Sequence, residues 1–287
     1  MKIQKKVVLE FIGEFLATFV FATLVFIGPM LASNLYPFML AFAVVAIWYT
    51  FSPVARTHMN PVVTFGEYIV VLVRQLINRK FYPADLLKFF GLITTQFLAF
   101  LVAFPLAVWI RTFVINVYVK GSDTVTNRDG TLVLFQFSNT YTDSNYAQVA
   151  FFFEFFIATL LVFAALRMGT SEKLKSKLGL IWASLVFAMM FVTFQLYSAS
   201  FNPWRSLVPA LLDGNVEAAQ TAKGKTELET QSKKAKEQLG TYLLAPAAGA
   251  LVAAGVHMGM QWLSGSTTAT VVTSSVKKTE EKKGGKK

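Results

Sequence analysis

The sequence predicts an all-α membrane protein with six transmembrane helices and two re-entrant half-helices, arranged as an inverted repeat. The chain has 287 residues, of which 54% are hydrophobic and 15% are charged, so charged groups are too few to cover a soluble protein of this size. An Asn-Pro pair lies between apolar segments in each half of the chain, at Asn60-Pro61 and Asn202-Pro203. Basic residues gather at the chain ends and in short loops. Four charge-free runs reach the ~20 residues that cross a bilayer: Phe15–Ala55, Phe89–Ile110, Leu178–Trp204 and Thr241–Val276.

The first half contains three predicted spans, near Val7–Ala32, Tyr36–Ala55 and Ala84–Ile110. They are helices, because backbone groups cannot stay unpaired in lipid. Between the second and third spans, residues 60–73 form an apolar segment too short to cross, which we interpret as a half-helix. Together these elements make a first repeat over residues 7–110. A secretory signal at the N-terminus is the alternative for the first span, but Glu10 and Glu14 and the length of the apolar run argue against it.

The second half repeats this order after a polar connection over residues 111–146, which we place on the outer face. The second repeat covers residues 147–264. A polar insertion at 213–240 separates its half-helix from its last span, and we expect a flexible loop there, with a helical hairpin as the alternative. The predicted elements are spans near Ala147–Arg167, Leu178–Tyr197 and Thr241–Leu263 and a half-helix at 202–212.

Uncompensated Lys and Arg residues predict the orientation. They occur in residues 1–6, RQLINRK at 74–80, TSEKLKSK at 170–177 and the tail at 265–287, which all belong on the cytoplasmic side. Both termini are then cytoplasmic, provided that each half-helix enters and leaves the membrane on one face. This placement explains the net charge of +11 without a nucleic-acid partner. We expect the tail to be disordered, with contact to anionic lipid as the less favoured alternative.

Each half carries an acid within a predicted span ahead of its Asn-Pro pair: Glu14 lies 46 residues before Asn60, and Glu154 lies 48 residues before Asn202. An inverted repeat places such paired elements together near the midplane. An Asn before Pro is a good helix N-cap, and its amide can donate to a passing oxygen. The alternative is that both Asn residues are ordinary caps. Arg205 is costly in lipid unless it lines an aqueous path or anchors a loop.

The sequence offers few of the side chains that enzymes use for catalysis. The chain has no cysteine and only two histidines, His58 and His257, so we expect neither a metal site nor a cofactor. No nucleophile and base pair is visible, and an enzyme is therefore not expected. Glu14 and Glu154 leave a proton relay, and thus a coupled transporter, as an alternative.

The two Asn-Pro pairs, His58, NPxRSxxPAL at Asn202–Leu211 and YLLAPAAGALVAAGV near the last span resemble the aquaporin or major intrinsic protein family over residues 7–264. The resemblance implies a passive, homotetrameric channel for water and small neutral solutes that excludes ions and protons. The roles that it implies are a selectivity constriction, half-helix tips, and loop support or pore mouth. Constriction positions are Arg205, Met190, Ala199 and Leu40, or Phe42 with a two-residue gap; tip residues are Pro61, Val62, Pro203 and Trp204; supports are Glu14, Glu154 and His58.

Some residues depart from the family pattern. Val62 and Trp204 stand where most members have Ala, and a Trp there is large enough to alter how the tips touch or to intrude on the path. Ser206 follows the Arg where glycerol-conducting members typically carry Asp, and the His of strict water channels is absent. A glycerol-type channel and a poorly conducting member with a structural role in the membrane therefore stay open. The sequence does not specify a plasma or an intracellular membrane.

Overall fold

The computed structural model describes residues 5–31, 35–114, 146–170, 174, 176–193, 199–212 and 222–265. The regular secondary structure of these residues is helical, which confirms the all-α prediction. Most of the predicted outer connection, and the tail after residue 265, lie outside the described residues. The helices are α1 (Lys5–Leu31), α2 (Tyr36–Phe51), α3 (Pro61–Ile77), α4 (Pro83–Val114), α5 (Tyr146–Gly169), α6 (Leu178–Thr193), α7 (Pro203–Leu212) and α8 (Ala222–Leu263).

Four of these helices contain stretches that are long and apolar enough to cross a membrane. α2 and α6 are equally apolar but have 16 residues each, which corresponds to about 24 Å at 1.5 Å per residue. The chain is therefore an integral membrane protein. The four long stretches are Lys5–Gly28, Pro83–Ile110, Ala147–Gly169 and Lys236–Leu263.

The two halves of the chain repeat one packing pattern. α1 packs against α2 and α4, and α5 packs in the same way against α6 and α8. The halves then interlock, because α2 contacts α6, α3 contacts α8, and α7 contacts α4. Each short helix thus lies against the last helix of the other half, as expected for an inverted repeat.

α5 and α8 approach each other closely at Gly249. A Cβ atom on Gly249 would lie 2.3 Å from the Phe155 carbonyl oxygen and 3.0 Å from the Thr159 backbone nitrogen. The Thr159 hydroxyl also lies 3.3 Å from the Gly249 carbonyl oxygen, to which it donates. Only a glycine fits this contact between the two backbones.

Three helix boundaries differ from the sequence-based expectation. α2 ends at Phe51 instead of continuing to residue 55, because the chain turns through residues 52–55 toward the first Asn-Pro pair. α3 continues to Ile77, where Asn78 ends it.

The largest difference is at α8, which begins at Ala222 and is continuous with the last predicted span. Over residues 222–240 the expected loop or hairpin is therefore a single helix, about 28 Å long. Lys233 and Glu237 lie four residues apart on it and are both exposed, a spacing that supports a solvated helix.

Candidate channel site at the paired Asn-Pro tips

Each Asn-Pro pair begins a short helix with the same cap. Asn60 has an extended backbone (φ −150°), and its Oδ1 accepts from the Val62 backbone N–H at 3.0 Å. Asn202 Oδ1 accepts from the Trp204 backbone N–H at 3.1 Å. Pro61 and Pro203 occupy the first helical position, where a backbone N–H would have no intrahelical partner. The local chemistry of Asn-Pro therefore sets where α3 and α7 begin.

The two caps are joined to each other across the repeat. Asn60 Nδ2 donates to the Phe201 carbonyl at 2.7 Å, and Asn202 Nδ2 donates to the Met59 carbonyl at 2.8 Å. Met59 and Phe201 have φ values of 53° and 56°, in the left-handed region that costs a non-glycine residue energy. In this backbone conformation, the carbonyl group of each residue points toward the Asn side chain of the opposite half and accepts its hydrogen bond. A primary amide carries two N–H groups, so each Asn retains a second donor.

Two buried carboxylates support the loops that precede the tips. Glu14 accepts from the backbone N–H groups of His58 and Met59 at 3.2 and 2.8 Å. Glu154 accepts from those of Ser200 and Phe201 at 2.6 and 3.0 Å. Both glutamates are 0% exposed. A buried carboxylate is tolerated when it is hydrogen-bonded in this way, and the geometry favours loop support over a proton relay.

The hydroxyl groups behind the tips differ between the halves. In the first half, the Thr64 hydroxyl lies 2.9 Å from His58 Nδ1 and accepts from Gln96 Nε2 at 2.9 Å. Gln96 Nε2 also donates to Glu14 at 2.8 Å. In the second half, the Ser206 hydroxyl donates to Ser200 Oγ at 2.8 Å. The first tip thus carries an imidazole where the second carries only hydroxyl groups.

An ion network adjoins the first tip and was not anticipated from the sequence. Glu67 lies 3.2 Å from His58 Nε2 and 2.5 Å from Arg56 Nη1. Arg56 Nε in turn lies 3.0 Å from Glu10, and Lys88 lies 2.7 Å from the other oxygen of Glu10. The available signal was the position of Glu67, three residues after Thr64 and therefore on the same helix face.

Arg205 lies in the first turn of α7, and its Nη1 donates to the Ala199 carbonyl. Its Nε has no hydrogen-bond partner among the described residues. The Tyr36 hydroxyl lies within electrostatic range of the guanidinium and donates to the Val25 carbonyl at 3.1 Å. Sequence reasoning missed Tyr36, because nothing in the chain pattern ties the start of α2 to α7.

The other proposed constriction residues separate into two groups. Leu40 and Met190 are 4% and 6% exposed and belong to one buried apolar cluster, and Ala199 packs against it. Phe42 is 73% exposed, and its alternative place at the constriction stays a prediction. Two residues along a helix turn the side chain by about 200°, which directs Phe42 to the outer surface.

Trp204 packs away from that cluster. Its ring meets the Phe97 ring of α4 edge to face, with centroids 5.2 Å apart, and it contacts a separate apolar cluster that includes Phe100 and Val208. The indole Nε1 has no hydrogen-bond partner within the described part of the chain. The Asn bonds across the tips form with Trp204 in place, and whether the ring alters how the tips touch or intrudes on the path stays a prediction. Val62 is buried in the larger cluster.

Metal-ligating side chains are not grouped in the part of the chain that the structure describes. No set of three or more His, Cys, Asp or Glu residues there is placed to hold a metal ion.

The apolar bundle, the interlocked halves and the two donor-bearing tips define a membrane channel built from an inverted repeat. The sequence profile of the major intrinsic protein family matches residues 1–257, and the chain belongs to that family. Members of this family are channels and not enzymes. No curated protein sequence matches the chain significantly.

Among solved structures, the chain is similar to the X-ray structure of the aquaglyceroporin from Plasmodium falciparum, with a TM-score of 0.59 and 18% sequence identity. The match covers 88% of this chain and 95% of that one. At 18% sequence identity, this similarity is evidence for a shared fold alone.

Proposed function

We propose that the chain is a passive channel for water and small uncharged solutes that excludes ions and protons. The observation that carries this proposal is the pair of reciprocal bonds from Asn60 to Phe201 and from Asn202 to Met59. These bonds hold two amides together, each with one N–H left over, at the N-termini of two half-helices. Helix N-termini and amide N–H groups offer partial positive charge. A neutral oxygen acceptor is bound there, whereas a cation is repelled.

Proton exclusion follows from the same donors. A water molecule that accepts hydrogen bonds from both amides is held in one orientation. It therefore cannot accept a proton from the neighbouring water molecule in the row of waters along the pore. Glu14 and Glu154 do not offer a bypass, because their oxygens already accept loop N–H groups. The fixed charge of Arg205 adds a second barrier to cations.

Glycerol-like solutes are the second candidate cargo. Leu40 and Met190, which we place at the constriction, are apolar and suit the carbon face of a polyol, while Arg205 suits its hydroxyl groups. Ser206 does not add selectivity, since its hydroxyl is already bonded to Ser200. We propose water as the main cargo and a slower flux of glycerol.

We further propose a homotetramer with both termini in the cytoplasm. The proposal is supported by membership of the family, by the basic segments that the sequence predicts on one side, and by large apolar side chains on the outer helix faces, such as Phe42, Phe152 and Phe191. These faces suit contact with lipid or with a neighbouring protomer.

The test uses the full-length protein in proteoliposomes with stopped-flow light scattering. A sucrose gradient should shrink these vesicles faster than protein-free vesicles, and a glycerol gradient should give slower re-swelling that protein-free vesicles lack. A pH-sensitive dye inside the vesicles should report the same proton leak in proteoliposomes and in protein-free vesicles. The proposal is overturned if shrinkage equals that of protein-free vesicles, or if solute uptake requires a proton gradient.

A further inference from the structure

A cluster of hydrogen-bond donors lies far from the tips, where α3, α5 and α8 end together. Arg74 is near the end of α3, and its Nη2 donates to Gln261 Oε1 of α8 at 2.6 Å. His257 lies one turn before Gln261 on α8, and Arg167 lies near the end of α5. Arg167 and His257 each lie eight residues beyond the contact between Thr159 and Gly249, so the two residues lie at the same level of the packed helices. The positive charges of Arg74 and Arg167 both act on the His257 ring.

The cluster has an excess of donors over acceptors. No described residue forms an ion pair with Arg74 or Arg167. His257 is 1% exposed, and neither of its ring nitrogens has a hydrogen-bond partner among the described residues. A buried polar group without a partner is costly and uncommon. Arginines in the last turn also favour the helix dipole, but that effect does not explain the unpaired imidazole.

An exposed tryptophan beside the cluster indicates the level of the lipid headgroups. Trp262 is exposed on the last turn of α8, next to Gln261, and tryptophans are typical of the membrane interface. Gly265, with a φ of 65°, follows the end of the helix. Two guanidinium groups at this level suit a phosphate, which accepts bidentate, charge-assisted hydrogen bonds.

We propose that Arg74, Arg167, His257 and Gln261 bind the phosphate group of an anionic phospholipid. The two guanidinium groups hold the phosphate oxygens at the surface, the Gln261 amide donates beside them, and His257 donates from beneath. The lipid then fixes the ends of α3, α5 and α8 relative to each other. Free inorganic phosphate has the same chemistry without the acyl chains, so the experiment must separate the two.

The experiment measures thermal unfolding of the full-length protein in neutral detergent. It is titrated with short-chain phosphatidic acid, with phosphatidylcholine of equal chain length, or with inorganic phosphate. A ligand that binds only the folded protein raises the melting temperature, with a stabilisation that grows as the logarithm of the ligand concentration once this exceeds Kd. We expect this rise with phosphatidic acid alone. A rise of equal affinity with inorganic phosphate, or with phosphatidylcholine, would overturn the assignment to an anionic lipid.

Two double variants separate a defined site from diffuse attraction. Arg74→Gln with Arg167→Gln should weaken the binding of phosphatidic acid by at least about tenfold. The control, Arg79→Gln with Lys80→Gln, removes the same charge from exposed residues just after α3. It should change the affinity for phosphatidic acid less than about twofold. Equal losses in the two variants would overturn the site.

A separate test of His257 uses the direction in which a substitution changes the melting temperature. His257→Leu removes the unpaired ring, so it should raise the melting temperature without lipid and reduce the shift that phosphatidic acid gives. A lower melting temperature without lipid, together with an unchanged lipid shift, would remove His257 from the site.

Discussion

Trp204 is the residue at which the second tip departs most from the first, and its environment is the interface between α4 and α7. The ring packs on Phe97, and its indole N–H lacks a partner among the described residues. Its bulk therefore contributes packing, and its polar atom contributes no hydrogen bond. The contribution of the indole ring to packing can therefore be tested separately from that of its N–H group.

Replacing Trp204 by Ala should destabilise the protein by about 3–5 kcal/mol, because it leaves a cavity in the apolar cluster. Trp204→Phe keeps most of the ring and deletes only an unpaired donor, so its melting temperature should stay close to that of the wild type, as should its water permeability per protomer. Thermal unfolding in detergent and stopped-flow shrinkage measure the two quantities. A Trp204→Ala variant of unchanged stability and raised water permeability would place the ring in the path instead.

Glu154 tests the support of the second tip. Glu154→Gln exchanges one acceptor oxygen for an NH2 group, which then faces the N–H of Ser200 or Phe201. A hydrogen bond to a charged group contributes about 1.5–3 kcal/mol, so a loss in that range is expected, with lower water permeability because the Asn202 tip is less fixed. Glu237→Gln, on the exposed part of α8, is the matched control and should change neither. Equal behaviour of the two variants would contradict the support role.

At the scale of the helices, the contact between α5 and α8 depends on one glycine. Gly249→Ala puts a methyl group 2.3 Å from the Phe155 carbonyl oxygen, so the two backbones must move apart. Overpacking of this kind costs about 1–3 kcal/mol. Gly255→Ala on the same helix meets nothing within 4 Å and should be neutral or slightly stabilising. The comparison of their melting temperatures checks this, and a neutral Gly249→Ala would show that the helices are less closely packed.

Local chemistry made some of the fold and site predictable. The starts of α3 and α7 follow from Asn and Pro at adjacent positions, and apolar length identified the spans. A single continuous helix over part of the insertion was not predicted, because its residues are polar and have no apolar face that would favour a helix over a loop. The direction of Trp204 and the exposure of Phe42 depend on neighbours from distant helices. The Glu67 network was missed for the same reason, since Glu10 and Lys88 come from two other helices.

At the scale of the whole molecule, each half completes the tip of the other. Met59 and Phe201 belong to opposite halves, and each supplies the carbonyl that holds the opposite Asn. The short helices also pack against the last helix of the other half. Neither half therefore completes its own tip, and the reciprocal Asn bonds exist only in the complete inverted repeat.

This dependence predicts coupling between the two asparagines. Asn60→Ala and Asn202→Ala each remove a helix cap and one bond across the tips, worth about 1 kcal/mol apiece. Because the remaining bond is already weakened once the first tip loosens, the double variant should lose less than the sum of the single losses, by about 0.5–3 kcal/mol. Asn78→Ala, at the exposed end of α3, is the control and should add independently to either. Melting temperatures of all six single and double combinations measure the coupling, and strict additivity of Asn60 and Asn202 would mean that the tips do not hold each other.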